Sequence, residues 1–272
     1  MAESTLYING AWVASSDGAV REIRSPHDNS VVATVSEATA ADTRDAITAA
    51  RESFDSGVYA SWSMKDRCAL VEKVADLIKR DAEILAAFET RDTGKRMIET
   101  RYDMADIEAT FRHFAALGLK LKDRKVDVGA DNITSVITHE PVGVCALIGP
   151  WNYPLLQISW KAAPALVAGC SFIIKPSELS PSTAIHFMKL LEEAGLPKGV
   201  ANLICGAGAT AGAPLAEDPR VDLVSFTGGL ITGRRIMATA AQTVKKVALE
   251  LGGKNPHIIF ENSDIDAAID NA

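Results

Sequence analysis

Over the first 35 residues, apolar and polar positions alternate in short bursts: "LYING", "AWV" and then "VVATV". A period of two residues is that of a β-strand with one covered face. Asn9-Gly10 joins the first two bursts and is a strong two-residue hairpin sequence. From Thr39 to about Leu121 the period lengthens to that of a helix. In "TAADTRDAITAARESF" the apolar stripe is Ala46, Ile47, Ala50 and Phe54, and Thr39 and Asp42 stand three apart, as a capping box requires. "MKDRCALVEKVADLIKRDAEILAAFET" repeats the pattern through Leu70, Val74, Leu77 and Ile78 and reads as a second helix, with residues 97–118 as a third. Residues 125–140, "KVDVGADNITSVITHE", return to alternation around a Gly-Ala-Asp-Asn turn, which predicts a polar β-hairpin, an arm reaching away from the body.

After Pro141 strands alternate with helices. The strands are "VGVCALI", "SFIIK", "ANLIC", "LVSF", "VALEL" and "HIIF", and helical stretches begin near Leu155, Thr183, Ala211 and Leu230. Continuously apolar strands belong to a parallel sheet covered on both faces. The expected fold is therefore α/β, a doubly wound and mostly parallel sheet of the Rossmann-like kind, which binds ligands at its C-terminal strand ends.

Composition narrows the function classes. The chain has 272 residues, 47% hydrophobic and 23% charged, with a net charge of −7. Lys and Arg are scattered, which argues against a nucleic-acid surface. No apolar run reaches the roughly 18 residues of a membrane helix. "MAESTLYING" has neither the basic nor the apolar region of a signal peptide. Cys68, Cys145, Cys170 and Cys205 lie far apart without metal-ligand spacing, so reduced thiols in a cytoplasmic protein are expected, with no metal.

The strand ends carry the candidate chemistry. The first stops at Gly149-Pro150-Trp151-Asn152, the second at Lys175-Pro176-Ser177-Glu178, the third at Cys205-Gly206-Ala207-Gly208. The fourth stops at Phe226-Thr227-Gly228-Gly229 and the fifth at Glu250-Leu251-Gly252-Gly253. Asn152, set between Pro150 and Pro154, can donate its amide to a developing oxyanion, or can bond only to its own turn. A carboxylate at Glu178, three residues from Lys175, can accept from ribose hydroxyls and repel a 2′-phosphate; the alternative is a solvated turn. "FTGGLITG" can offer backbone amides at a helix N-terminus to a pyrophosphate, or serve only close packing. Glu250, at the end of an apolar strand, reads either as a carboxylate raised toward general-base use by an apolar pocket or as an ordinary strand-end acid.

"PWNYP", "KPSE", "FTGG…TG" and "ELGGKNP", in this order, resemble the aldehyde dehydrogenase superfamily, and the likeness runs from "LYINGAW" through "DIDAAI". "PVGVCALIGPWNYPLLQISWK" and "LELGGKNPHIIF" are most similar to its betaine aldehyde branch. The resemblance implies oxidation of an aldehyde to an acid with NAD as acceptor, NADP being tolerated in this branch, and betaine aldehyde or another small aldehyde as substrate. It implies that Asn152 is an oxyanion donor, that Glu250 activates water, and that Lys161 lies near the active site. It matches Lys175 and Glu178 to ribose ligands, Gly208 and Phe226 to positions lining the cofactor, and Gly229 with Thr232 to the pyrophosphate turn. Ile148, Pro150, Trp151, Ser177, Thr227, Gly228, Leu251 and Gly252 complete the implied cofactor surroundings. Gly229 departs from the Ser common in the family, so phosphate contact leans on backbone amides. Tyr153 and Trp160 are similar to aromatic residues at the aldehyde entrance, where ring faces attract a quaternary ammonium.

The same resemblance divides the chain into a cofactor domain, residues 1–124 and 141–250, an oligomerisation arm, 125–140, and the start of a catalytic domain, 251–272. It implies a homodimer or homotetramer for a full-length protein. The family's nucleophilic cysteine lies past the "ELGGK" glutamate and beyond position 272. Two readings stand: an aldehyde dehydrogenase of which this chain holds part, or a non-catalytic nucleotide-binding or interaction module. Either way the chain alone is expected to be inactive.

Overall fold

The computed structural model describes residues 4–270. Strands β1 (Leu6–Ile8) and β2 (Ala11–Val13) pair antiparallel as the hairpin that Asn9-Gly10 dictates. Both turn residues take positive φ, 51° and 78°, the condition of a turn whose twist matches its strands. The turn is anchored to the body by Asn202 Oδ1, which accepts from the Asn9 amide at 3.0 Å. Strand β3 (Val20–Arg24) pairs antiparallel with β4 (Val31–Ser36) in a separate two-stranded sheet. The sequence reading missed β3, because "VREIR" places charges on its exposed face and only Ile23 in the core.

Helix α1 (Ala40–Asp55) carries the expected capping box: Thr39 Oγ1 accepts from the Asp42 amide, and Asp42 Oδ2 accepts from the Thr39 amide. The single helix expected over 64–90 is two, α2 (Met64–Arg80) and α3 (Ala82–Thr93). The break is at Asp81, whose φ of −98° and ψ of 12° leave the helical region. Its carboxylate, tied to Arg80 at 2.7 Å and to His186 Nε2 at 2.7 Å, fixes the bend by contacts a local pattern does not encode. Helix α4 (Met97–Gly118) follows, then strands β5 (Arg124–Val126) and β6 (Ser135–Ile137), an antiparallel and largely exposed hairpin.

The second half alternates strand and helix: β7 (Val144–Ile148), α5 (Pro154–Ala168), β8 (Ser171–Lys175), α6 (Ser182–Ala194) and β9 (Ala201–Leu203). A π-helical turn (Gly208–Gly212) then runs into α7 (Ala213–Glu217), where a plain helix from Ala211 was expected. Strand β10 (Leu223–Gly228), α8 (Leu230–Ala240), β11 (Lys246–Leu251) and α9 (Ile265–Asp270) complete the order. Among the described residues, one seven-stranded sheet runs β11-β10-β7-β8-β9-β1-β2. From β11 to β9 its pairings are parallel, and the β1–β2 hairpin closes the far edge antiparallel. The sheet is thus mostly parallel and doubly wound.

Strands β7, β8 and β9 are buried throughout, with helices on both faces. Strand β11 is not: its positions alternate exposed and half-buried, because it is an edge strand and Ala248 and Glu250 face outward. "HIIF" forms no strand, and Ile258 and Phe260 are each 70% exposed. Its apolar run has no strand alongside it among the described residues, so its backbone has no ladder to join. No helix among the described residues is long and apolar enough to cross a membrane.

Candidate functional site

The strand order reverses beside β7. From it, β8 and β9 lie to one side, β10 and β11 to the other. Connections leaving in opposite directions open a crevice at the C-terminal ends, and ligands bind there in folds of this kind. The crevice measures about 1190 Å³. Its walls are the turn after β7, the Lys175–Leu179 segment after β8, the π-helical turn with α7, the end of β10 with one face of α8, and residues 250–252.

Asn152 reaches it from the turn after β7, exposed, and its side-chain amide bonds nothing among the described residues. The expectation that it might serve only its own turn is not what is seen. The Gly149 amide donates to Lys175 O at 3.0 Å, joining the ends of β7 and β8, and Ser180 Oγ donates to Trp151 O at 3.4 Å. Ile148, Pro150 and Trp151 line the crevice on this side.

On the β8 wall, Lys175 is only 3% exposed. Its Nζ donates to Pro176 O at 2.8 Å and lies 3.7 Å from Glu178 Oε2. Burial pulls the ammonium below its ordinary pKa, and Glu178 is the first group that holds it up. Ser177 Oγ accepts from the Leu179 amide, which closes this turn. Glu178 is half-exposed, with its carboxylate open to the crevice.

One neighbour was invisible in the sequence. Glu37, just after β4, takes a bidentate contact from Arg21 at 2.6 and 2.8 Å and accepts from the Ala207 amide at 2.9 Å. It therefore fixes the turn that delivers Gly208 to the cleft. Its carboxyl is held below the usual range, by the Arg21 bond first. No local signal could have joined positions 170 residues apart.

On the opposite wall, Gly228 and Gly229 lead into α8, with Gly229 as its N-cap. The first amides of a helix have no partner of their own. A Cβ built on Gly229 or Gly208 would meet no protein atom within 4 Å. Both glycines border the cleft, so side chains there would take up the room of a bound group. Unpaired amides, open backbone and the Glu178 carboxylate on the facing wall together fit a nucleotide with a pyrophosphate. Phe226, Thr227, Thr232, Leu251 and Gly252 lie on the same side.

Glu250 stands opposite Thr227 in the β10–β11 register. Thr227 Oγ1 accepts from Lys161 Nζ at 2.7 Å and donates to Gln157 Oε1 at 3.2 Å. Glu250 lines the cleft but is exposed, so the expected apolar enclosure is not formed around it by the described residues. The cause is its edge strand, over which none of the described residues packs on that face. Lys161 does not line the cleft; it is buried behind Thr227. Burial brings its ammonium down from 10.5 to about 8, against the pull of Glu250.

The sign of that shift gives a test. Between pH 8 and 10.5 the unfolded chain holds a proton on this lysine that the folded chain has released. Stability then rises with pH across this window, by this group alone. Urea midpoints of wild type and Lys161→Met, taken from pH about 7.5 to 10, are expected to show the wild type gaining on the variant as pH rises. Parallel curves would sink the assignment.

Tyr153 is 41% exposed and lines the cleft, but Lys95 Nζ lies 3.5 Å from its ring centroid and takes one face. Trp160 is 47% exposed and lies outside the cleft lining, because the turn of α5 that places Lys161 inward points its neighbour away. All four cysteines are buried and none lines the cleft. Cys205, beneath Lys175, has its thiol pushed up to about 12 by burial. Among the described residues, no cluster of three His, Cys, Asp or Glu is placed to hold a metal ion.

Comparison with known proteins bears on the family and the fold. The profile of the Aldehyde dehydrogenase family matches residues 12–272. Betaine aldehyde dehydrogenase of Bacillus subtilis is 49% identical over 268 residues, 98% of this chain and 55% of that protein. Human Retinal dehydrogenase 2 is 40% identical, over 98% of this chain and 52% of its own length. A crystal structure of betaine aldehyde dehydrogenase from Staphylococcus aureus in complex with NAD+ superposes with a TM-score of 0.95 at 48% identity, over 98% of this chain and 53% of that one. The chain spans about half the length of the relatives it matches. A match along nearly all its residues, in both sequence and fold, places the chain in the aldehyde dehydrogenase family.

Proposed function

We propose that this chain supplies the nucleotide site and two catalytic groups of an NAD+-dependent oxidation of an aldehyde to a carboxylic acid, with betaine aldehyde as the favoured substrate. The observation that carries the reading is the shared crevice: the unpaired Asn152 amide, the Glu250 carboxylate and the Lys175–Glu178 pair all border it. When bound, the dinucleotide would supply the hydride acceptor. Glu178 and Lys175 would hold its adenosine ribose, and the α8 amides with Gly229 its pyrophosphate. Asn152 would donate to an aldehyde oxygen as negative charge grows on it. Glu250 would take a proton from water, with Lys161 and Thr227 beside it.

The substrate choice is supported by the 49% identity to a betaine aldehyde dehydrogenase and by Tyr153, an aromatic residue lining the cleft. Lys95 on Tyr153 is paired with Asp103, so it brings little net charge against a cationic aldehyde. Trp160, outside the cleft lining, does not carry this part of the reading. We assign residues 1–124 and 141–250 to the cofactor domain, residues 125–140, which hold most of the β5–β6 hairpin, to oligomer contacts, and residues 251–272 to the start of a catalytic domain.

One observation favours a second reading for the chain in isolation. No thiol borders the cleft, so these residues bind nucleotide without turnover. Calorimetric titration of the 272-residue chain with NAD+, beside an absorbance assay for NADH with betaine aldehyde, tests both. Saturable NAD+ binding and no NADH are expected. A chain that ignores NAD+ sinks the nucleotide reading, and NADH production abolished by Cys205→Ala overturns the claim about the thiols.

A further inference from the structure

Two prolines bracket Asn152, but contacts from behind it, at the corner between α3 and α4, also hold its turn. Helix α5 begins at Pro154, and its N-cap, Tyr153, makes no side-chain capping bond. In place of that bond, Glu89 of α3 reaches across: its Oε2 accepts from the Leu155 amide at 3.4 Å. Lys95, just past the end of α3, sets its ammonium 3.5 Å from the Tyr153 ring centroid and pairs with Asp103 of α4. Neither Glu89 nor Lys95 lines the cleft.

We propose that Glu89 and Lys95 are positioning residues for the turn Trp151–Leu155, fixing it from the side away from the cleft and so setting the aim of the Asn152 amide. The inference rests on the reading of that cleft as a nucleotide and aldehyde site.

Glu89 is fully buried, and its Oε1 has no partner. An apolar side chain would fill the same volume without an orphan oxygen, which is costly in the interior. What it could not do is accept from Leu155. Burial first, then the charge of Asp103, push the Glu89 carboxyl up to about 8, while Lys95, the Leu155 amide and the Thr183 hydroxyl act the other way. At neutral pH it is an uncharged acceptor, for which glutamine is a close substitute. Lys95 supplies the second hold, a cation over an aromatic face and partly shielded from water. Together they grip residues on both sides of Pro154.

The test uses the whole chain in four forms: wild type, Glu89→Gln, Glu89→Met, and Lys95→Met combined with Asp103→Asn so that no charge is left unpaired. Amide hydrogen exchange of the segment 152–156 is read against that of β7 as a folding control. Exposure of Trp151 to acrylamide is read by difference from Trp151→Phe. Glu89→Met is expected to speed exchange at Leu155 by about tenfold, the loss of one hydrogen bond's protection, with β7 unchanged. Glu89→Gln is expected to match wild type, and the double variant to raise Trp151 quenching. Unchanged exchange in Glu89→Met, or Glu89→Gln behaving as Met does, overturns the role of Glu89. Unchanged quenching in the double variant overturns that of Lys95. Should Glu89→Met lose β7 protection as well, the glutamine and double variants decide by the same criteria. An NAD+ titration on the same samples keeps the readings apart, since wild type that fails to bind NAD+ sinks the nucleotide site while the exchange rates still judge the brace.

Discussion

Gly143→Ala is expected to lower stability by about 4 kcal/mol, close to the whole stability of a marginal domain. Gly143 precedes β7 with φ at +124°, beyond the small left-handed region that other residues reach. A Cβ there would overlap the Asp222 carboxylate. That carboxylate cannot move freely. Its Oδ2 accepts from the Val144 amide at 2.7 Å and from Arg51 Nη1 at 2.9 Å. Asp222 also donates its own amide to Val144 O at 2.9 Å and accepts from the Lys246 amide at 3.0 Å. One residue therefore joins the entries of β7, β10 and β11, the three strands whose far ends carry Asn152, Thr227 and Glu250. Alanine adds backbone strain of about 1–3 kcal/mol and displaces a charged acceptor worth about 1.5–3 kcal/mol. The measurement is the urea midpoint at constant slope. Gly18→Ala is the control: it also has positive φ, at 74°, but open space around its Cβ. It is expected to cost no more than the strain alone. Equal losses in the two variants would show that the Asp222 clasp contributes nothing.

That clasp marks the limit of what the sequence discloses. Local chemistry was legible wherever one or two residues decide a conformation. Asn9-Gly10 forced the hairpin, Thr39 and Asp42 closed the capping box, and the apolar runs of β7 to β9 gave a buried parallel sheet. The polar and glycine-rich strand ends do converge on one cleft, with Asn152 and Glu250 on its walls. What failed depended on partners distant in sequence. Asp81 bends the long helix through His186, 105 residues on. Glu37 sets the Gly208 turn from just past the end of β4, which belongs to another sheet. Glu250 looked enclosed because "VALEL" is apolar, yet apolarity along a strand does not say which face is covered. Lys161 and Trp160 are adjacent in sequence, and helical geometry sends them to different surroundings. The two prolines around Asn152 suggested a self-sufficient rigid turn, whereas contacts from Glu89, Lys95 and Ser180 hold it.

Glu178→Ala is expected to weaken NAD+ binding by about ten- to a hundredfold while leaving NADP+ binding unchanged or tighter. A carboxylate that accepts from ribose hydroxyls makes charge-assisted bonds worth about 1.5–3 kcal/mol, and each 1.4 kcal/mol is about tenfold in affinity. The same carboxylate stands where a 2′-phosphate would bring like charge, a repulsion that alanine removes. Lys175 remains, with its Nζ 3.7 Å from the vacated carboxylate position. This cation then faces a phosphate without the acid beside it. Glu178→Gln separates the two effects, because its amide still accepts from ribose but carries no charge. It should lose only a fewfold in NAD+ affinity and gain for NADP+. Salt provides a further check: raising ionic strength screens the repulsion at this half-exposed carboxylate, so wild-type NADP+ affinity should improve relative to NAD+, and the variants should lose that dependence. Calorimetric titrations with both nucleotides at two salt concentrations measure all of this. If Glu178→Ala keeps the wild-type ratio of NAD+ to NADP+ affinity, the acid does not face the ribose, and the nucleotide lies elsewhere along the cleft.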